Sequence, residues 1–128
     1  MIATMPSLRI KRIYEPADRQ DGCRVLVDRL WPRGLTREKA AIDHWLKEVA
    51  PSAALRSWFG HRPERWDEFV ERYRRELAAA PAAPLLCRLA ALAAEGDLTL
   101  LYSAQDEGRN QAVVLADALR ERHSSQGA

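Results

Sequence analysis

This 128-residue chain has few cysteines, no long apolar run and a low net charge. Its two cysteines, Cys23 and Cys87, lie far apart in apolar stretches, which predicts two buried, reduced thiols and no metal site. The start of the chain lacks the apolar core of a signal peptide, and no run approaches the ~20 apolar residues of a membrane span. We therefore expect a cytoplasmic protein with no membrane partner.

The charge and the missing motifs exclude several classes of function. A formal net charge of +2 makes a nucleic-acid partner less expected. The densest basic cluster, Arg72, Arg74 and Arg75, is interleaved with glutamates, which is typical of a solvated helix face. The sequence contains no phosphate-binding glycine loop, dinucleotide-binding motif, metal-ligand cluster or nucleophile elbow. It therefore predicts no metal and no cofactor.

Composition predicts one compact domain. Apolar residues make up 47% of the chain and charged residues 30%, which is typical of a globular protein with a sizeable core. We expect a single domain over residues 1–128, with its core at about 8–120. The first few residues and the tail at 123–128 are expected to be flexible.

Hydrophobic periodicity predicts an α/β fold. The expected strands cover residues 8–14, 23–28 and 98–102, and the first alternates as an edge strand does. Helices are expected at 36–49, 52–59, 63–77, 85–95 and from about 110 onward. The order β-β-α-α-α-α-β-α favours a small open, mainly parallel sheet flanked by helices on both faces. Three strands make a narrow sheet, which leaves room for a short strand that the pattern does not reveal.

The spacing of large apolar groups predicts several core residues. Trp66 and Phe69 lie on one helical stripe, Trp45 lies on the stripe of the 36–49 helix, and Leu100 lies in a central strand. All four are expected in the core.

The run DRLWPRG at positions 28–34 follows the second strand and is the best candidate for a site. It combines a carboxylate, two guanidinium groups and an indole in one loop. If strands two and three are parallel, this loop and the loop at 103–110 leave the same edge of the sheet, where ligands of open α/β folds bind. The sequence therefore predicts one cleft between the two loops.

Each candidate in these loops has a chemical role and a structural alternative. Arg29 or Arg33 can hold a phosphate or carboxylate through two N–H groups, and Trp31 offers a flat face. We expect Arg33, in a stiff turn, to bind and Arg29 to be partly structural. Asp28 can orient an arginine or act as a base, and the start of the last helix is a further anion site. Equally, Asp28 and Arg29 could close the sheet edge, and Trp31 could be a core lid.

The remaining candidates come from the second loop and from the middle of the chain. Ser103 has a hydroxyl at a strand end, while Asp106 and Asn110 are spaced to share a helix face. Ser103 or Asp106 could instead be a helix N-cap. His61 follows a helix-ending glycine and is a surface residue or a general base. The catalytic candidates are Asp28, Ser103, Asp106 and His61, and the ligand-binding candidates are Arg29, Trp31, Arg33 and Asn110.

Five stretches of the chain also carry a family resemblance: IKRIYEP, DGCRVLVDRLWPRGL, WLKEVAPSAALRSWFGH, PERWDEFVERYRRELA and LTLLYSAQDEGRNQAVVLADAL. They resemble the YeaO-like branch of domain-of-unknown-function family 488 over about residues 8–119. The resemblance implies a compact α/β domain in a bacterial or archaeal cytoplasm, without a defined activity. The wider family tends to carry a Cys-His-Arg string after its late strand, and its relatives often show His-Asn further on. This chain has Tyr102, Ser103 and Ala104, then Arg109 and Asn110, which puts chemistry that needs that Cys or His in question.

Three functions remain open from the sequence. The first is a domain that binds a small anionic ligand at the strand ends, with or without catalysis. The second is a nucleic-acid-associated protein, and the third is a protein-interaction or stress-response module without catalysis. The ligand, the pathway and the oligomeric state stay open.

Overall fold

The computed structural model describes residues 7–126, with side chains through Arg122. The flexible ends that we predict fall on the N-terminal residues and the tail from His123, outside the residues whose side chains are described. The strands are β1 (Leu8–Arg12), β2 (Cys23–Leu26), β3 (His44–Trp45) and β4 (Leu98–Tyr102). The α-helices are α1 (Arg37–Ala40), α2 (Ala53–Phe59), α3 (Trp66–Leu77), α4 (Ala82–Glu95) and α5 (Gln111–Gln126).

The four strands form one parallel sheet in the order β1-β4-β2-β3. Val25 of β2 pairs with Leu100 of β4 on one side and with His44 of β3 on the other. The α/β class, the parallel pairing of the two apolar strands and the edge position of the first strand are therefore confirmed. β4 enters between two strands that precede it, so a long helical crossover separates neighbouring strands.

The prediction of one helix over residues 36–49 is wrong. Thr36 does cap a helix, but this one-turn helix ends at Ala41, which adopts a left-handed φ of 48°. The backbone N–H of Asp43 then donates to the carbonyl of Arg24 (2.8 Å), and β3 extends the sheet beside β2. This is the short strand that the sequence pattern did not reveal. Two residues are too few to show an alternating pattern.

The helices from α2 to α4 follow their sequence signals closely. The Ser52 hydroxyl caps α2, and Gly60 ends it with a positive φ of 52°. Phe69, Tyr73 and Leu77 form the buried stripe of α3. The phenolic O–H of Tyr73 donates to the carbonyl of Val49 (2.6 Å), and burial raises its pKa well above the usual value. Capping and period therefore determine this part of the chain.

The two faces of the sheet are covered differently. Helices α2 to α5 pack on the face that carries Val25, Leu100 and Tyr102, where the main core lies. The other face carries Leu26 and Leu101 and is covered by the segment from residue 29 to 45, in which α1 is a single turn. Helices therefore flank the sheet, but the longer ones all lie on one side.

The predicted core residues divide into two groups. Phe69 and Leu100 are buried, as expected, whereas Trp45 and Trp66 are half-buried and pack against the edges of the two clusters. The prediction of two buried thiols is wrong for Cys87, which is exposed, and Cys23 is only half-buried. Cys87 lies two residues before the buried Leu89, and therefore on the opposite side of α4.

Within residues 7–126, no single helix is long and apolar enough to cross a membrane. The segments Pro63–Leu77 and Ala82–Glu95 meet that test only together, across a 90° bend.

Candidate functional site

The two predicted loops meet at the carboxyl edge of the sheet. Asp28 follows β2 and Ser103 follows β4, and the backbone N–H of Ser103 donates to Oδ2 of Asp28 (3.0 Å). Their proximity follows directly from the parallel register of the two strands. The predicted position of the cleft rests on this pairing.

Asp28 is the buried acid at the floor of the cleft, with only 9% of its surface exposed. Its second oxygen, Oδ1, accepts a short hydrogen bond from the side-chain amide of Gln111 at the start of α5. Burial raises the pKa of Asp28 above its usual value, while hydrogen bonds from Ser103 and Gln111 and the charge of Arg56 offset part of the rise. The carboxylate is therefore held by neutral donors in a poorly solvated place.

Arg29 is tied to the protein itself. Its Nε–H donates to the carbonyl of Pro51 and its Nη2–H to the carbonyl of Ala50, each at 3.2 Å. A third contact, at 3.6 Å, reaches the carboxylate of Glu48. Arg29 thus fixes the loop before α2, which fits the partly structural role expected for it.

Trp31 is mainly a lid over the smaller core. Its indole N–H donates to the carbonyl of Leu35 (2.7 Å), and its ring packs edge-on against Trp45 with centroids 5.3 Å apart. The guanidinium of Arg37 lies over it at 4.9 Å. Trp31 still lines the cleft, but much of its surface is occupied by these neighbours.

Arg33 is presented differently from Arg29. It is exposed, between the buried Pro32 and Gly34, whose φ of 72° favours glycine. The phenolic O–H of Tyr14 donates to the Arg33 carbonyl (3.0 Å) and so holds the backbone of the loop. Among residues 7–122, no side-chain hydrogen bond or ion pair occupies its guanidinium. The group is free to meet a ligand.

The candidates of the second loop build the start of α5. Asn110 is buried, and its Oδ1 accepts from the backbone N–H of Ala112 (3.0 Å), so Asn110 is the N-cap. The carboxylate of Asp106 accepts hydrogen bonds from the backbone N–H groups of Gly108 and Arg109. These bonds lower its pKa, and the bond from Gly108 has the larger effect. Neither Ser103 nor Asp106 caps the helix, and the free N–H groups expected there are partly used by Asn110.

His61 lies at the rim of the cleft on the side of α2. It is exposed, has a positive φ of 57°, and its ring lies 6.0 Å from that of Phe59. No described hydrogen bond links its ring to Ser103 or Asp28.

Together these groups surround a cleft of about 700 Å³. Its lining contains five arginines, Arg12, Arg29, Arg33, Arg56 and Arg109. Among the residues that line it, Asp28 is the one carboxylate. An excess of positive charge in a concave site raises the local concentration of anions. Within the described residues, no group of three or more His, Cys, Asp or Glu is arranged to hold a metal ion.

Sequence reasoning missed several of these residues. Arg12 ends β1, and its Nε–H and Nη2–H donate to the carbonyls of Ala104 (2.9 Å) and Ser103 (3.2 Å). Gln111 holds Asp28, and Arg56 has no side-chain hydrogen bond or ion pair among residues 7–122. The parallel sheet gave a usable signal for Arg12, because the end of β1 emerges at the same edge. Arg56 projects from a helix that looked purely structural and gave no such signal.

Comparisons with known proteins place the chain in a family. A family model described as the inactive DUF488-N3 subclade matches residues 7–128. The uncharacterized protein YeaO of Escherichia coli (strain K12) is 46% identical over 114 residues, which cover 89% of this chain and 97% of that protein. The uncharacterized protein Mb3100c of Mycobacterium bovis is 42% identical over 115 residues, covering 90% and 95%. No solved structure gives a significant match. The expected resemblance is confirmed, and the chain belongs to the inactive DUF488-N3 subclade.

Proposed function

We propose that this domain binds a small anionic molecule, through a phosphate or carboxylate group, in the cleft at the carboxyl edge of the sheet. The observation that carries the proposal is the charge of the cleft, five arginines against a single, poorly solvated carboxylate. A concave site of this size is typical of small-molecule binding. Glu48 lies 3.6 Å from Arg29 and Asp106 lies 3.6 Å from Arg109, which leaves Arg12, Arg33 and Arg56 without an ion pair among residues 7–122.

Two arginines are the main binding groups in this proposal. Arg33 and Arg56 both line the cleft, and among residues 7–122 neither guanidinium has a side-chain partner. A guanidinium offers a planar fork of N–H donors that matches carboxylate and phosphate oxygens. Arg12 and Arg29 each already donate two N–H groups to backbone carbonyls, so they shape the cleft and add charge.

Binding without turnover fits the site better than catalysis. The oxygens of Asp28 already accept hydrogen bonds from Ser103 and Gln111, so the carboxylate is held in place. The subclade to which the chain belongs is described as inactive. Asp28 is proposed to accept a hydrogen bond from the ligand and not to remove a proton.

The arginine-rich face of α3 does not favour a nucleic-acid partner. Arg72 pairs with Glu68, Arg74 with Glu121 (2.6 Å) and Arg75 with Glu71 (2.5 Å). These glutamates neutralise the positive charge that contacts with nucleic-acid phosphates would need.

Isothermal titration with inorganic phosphate and with acetate tests the proposal. We expect wild-type protein to bind at least one of the two anions. Arg33→Lys should keep the fold but weaken binding about tenfold, because a lysine lacks the fork. Arg75→Lys, on the exposed face of α3, is the matched control and should bind like wild type. If wild-type protein binds neither anion, or if the control loses as much affinity as Arg33→Lys, the proposal fails.

A further inference from the structure

Large apolar side chains stand exposed in the lining of the cleft. Among the large apolar side chains that the structure describes, only Tyr14 and Leu30 are exposed, at 40% and 62%. Both line the cleft. They are 16 positions apart in sequence, and the phenolic O–H of Tyr14 donates to the carbonyl of Arg33, three residues after Leu30. Exposed apolar groups that gather at one opening mark a surface that binds something apolar.

The apolar surface continues from the mouth into the cleft. Pro51, Phe59 and Phe69 contribute to the wall on the side of α2 and α3, and Trp31 contributes on the side of Leu30. Phe59 stacks on Phe69 with centroids 4.4 Å apart, so this wall is rigid. An anion alone gains nothing from contact with such a wall, because water or N–H donors solvate it better than aromatic carbon does.

The apolar and cationic groups lie side by side. Leu30 and Arg33 belong to the same short loop, and Arg56 lies one turn before Phe59 on α2. The guanidinium of Arg12 lies over the Tyr14 ring at 4.9 Å. Three arginines of the lining thus have a large apolar side chain close to them in sequence or in space.

We infer that the ligand is an amphipathic anion: a phosphate or carboxylate group carried on an aromatic ring or a branched hydrocarbon body. This inference rests on the proposed anion binding and specifies the rest of the molecule. The charged group meets Arg33 and Arg56, and the body lies along Leu30 and Tyr14. The cleft of about 700 Å³ is several times larger than a phosphate ion needs and falls in the range of sites for small organic ligands.

Two matched pairs of probes test the inference: inorganic phosphate against phenyl phosphate, and acetate against benzoate. Titration calorimetry of the whole chain should show about tenfold tighter binding for the member with the ring in at least one pair, from burial of one ring face. Leu30→Ser should reduce that ratio towards one and leave the affinity for phosphate or acetate unchanged. Leu30 is well exposed, so this variant should melt like wild type, and melting temperature checks it.

Ala94→Ser, on an exposed position of α4 outside the cleft, is the control and should keep the wild-type ratio. Equal affinities within both pairs would overturn the inference while leaving anion binding in place. A ring preference that survives Leu30→Ser would also overturn it, because the body would then lie elsewhere. If neither inorganic phosphate nor acetate binds, the proposed function itself fails, whatever the two ring-bearing probes do.

Discussion

Two buried aspartates lie at opposite ends of β2, and their partners differ. Asp21 precedes the strand and is paired with Arg24 at 2.5 Å and with Lys11 at 3.1 Å. Asp28 follows the strand and accepts hydrogen bonds only from neutral groups of Ser103 and Gln111. One aspartate is fully compensated by the protein's own cations. The other faces arginines across a cleft without an ion pair to any of them among the described residues.

Their pKa values shift in opposite directions. Burial alone would raise the pKa of Asp21, but hydrogen bonds with Asp18, Lys11 and Arg24 lower it below its usual value. Burial dominates at Asp28 and raises its pKa. A carboxylate kept in a poorly solvated place costs stability, and such groups concentrate at functional sites. The comparison therefore separates a structural end of the sheet from the end at which we propose that a ligand binds.

The largest effect is expected at the structural end. Arg24→Ala removes the buried cation beside Asp21, together with hydrogen bonds to the carbonyls of Ala40 (2.8 Å) and Ala41 (3.0 Å). Breaking a buried pair by removing one partner costs about 3–5 kcal/mol. Urea denaturation should show this loss, whereas Arg75→Ala, on the exposed face of α3, should cost under about 1 kcal/mol. Similar losses in both variants would mean that burial of the pair contributes nothing.

A smaller effect separates two arginines of one loop. Arg29→Lys should lower the free energy of unfolding by about 1–3 kcal/mol, because one ammonium group cannot reach both the Ala50 and Pro51 carbonyls. Arg33→Lys should leave stability unchanged and lower anion affinity. Thermal melts and anion titrations measure the stability and the anion affinity of each variant. The reverse pattern, with stability lost in Arg33→Lys, would exchange the roles assigned to the two residues.

Removing a donor from Asp28 should raise its pKa further. Gln111→Leu keeps the volume of the side chain but takes away the amide that stabilises the ionised carboxylate. An NMR titration that follows the Asp28 carboxyl carbon should show a higher midpoint than in wild type. Gln105→Leu, an exposed position on the same loop edge, should leave the midpoint in place. An unchanged midpoint in Gln111→Leu would show that burial alone controls the acid.

The smallest effect is a pair of opposite pH slopes. The lowered pKa of Asp21 means that its stabilisation is present above the unfolded-state pKa and is lost as pH falls through the folded pKa. The deficit of Asp21→Asn should therefore shrink in acid. The raised pKa of Asp28 means the reverse: stability is lost as pH rises through its folded pKa. Asp28→Asn should thus gain stability relative to wild type as pH rises above the usual pKa of an aspartate. Parallel slopes for the two variants would contradict the comparison.

Local patterns predicted those parts of the chain in which neighbours in sequence determine the structure. The stripe of α3 and the Ser52 cap of α2 needed only periodicity and capping rules. The edge at which Asp28 and Ser103 meet needed only the parallel rule. The sequence did not predict β3, because tertiary pairing with β2 overrides the helical spacing of the surrounding residues.

Contacts between distant segments account for what the sequence could not predict in the site. Arg29 binds carbonyls 21 and 22 positions away, and no pattern in the loop identifies them. Arg12 reaches carbonyls 91 and 92 positions away. Only the folded structure shows that Arg56 lines the cleft and that, among residues 7–122, its guanidinium has no partner. Residue type suggested the chemistry of these arginines, but only the fold distinguishes an occupied guanidinium from a free one.

The sequence distance between Asp28 and its two partners has a consequence for the order in which the protein matures. Ser103 and Gln111 lie 75 and 83 positions further along the chain. During synthesis, the acid leaves the ribosome long before either donor exists, and β4 must then insert between two earlier strands. The floor of the cleft therefore cannot be complete until Gln111 has been synthesised. Capture of a ligand there would report that the whole domain, and not a leading fragment, has reached its native state.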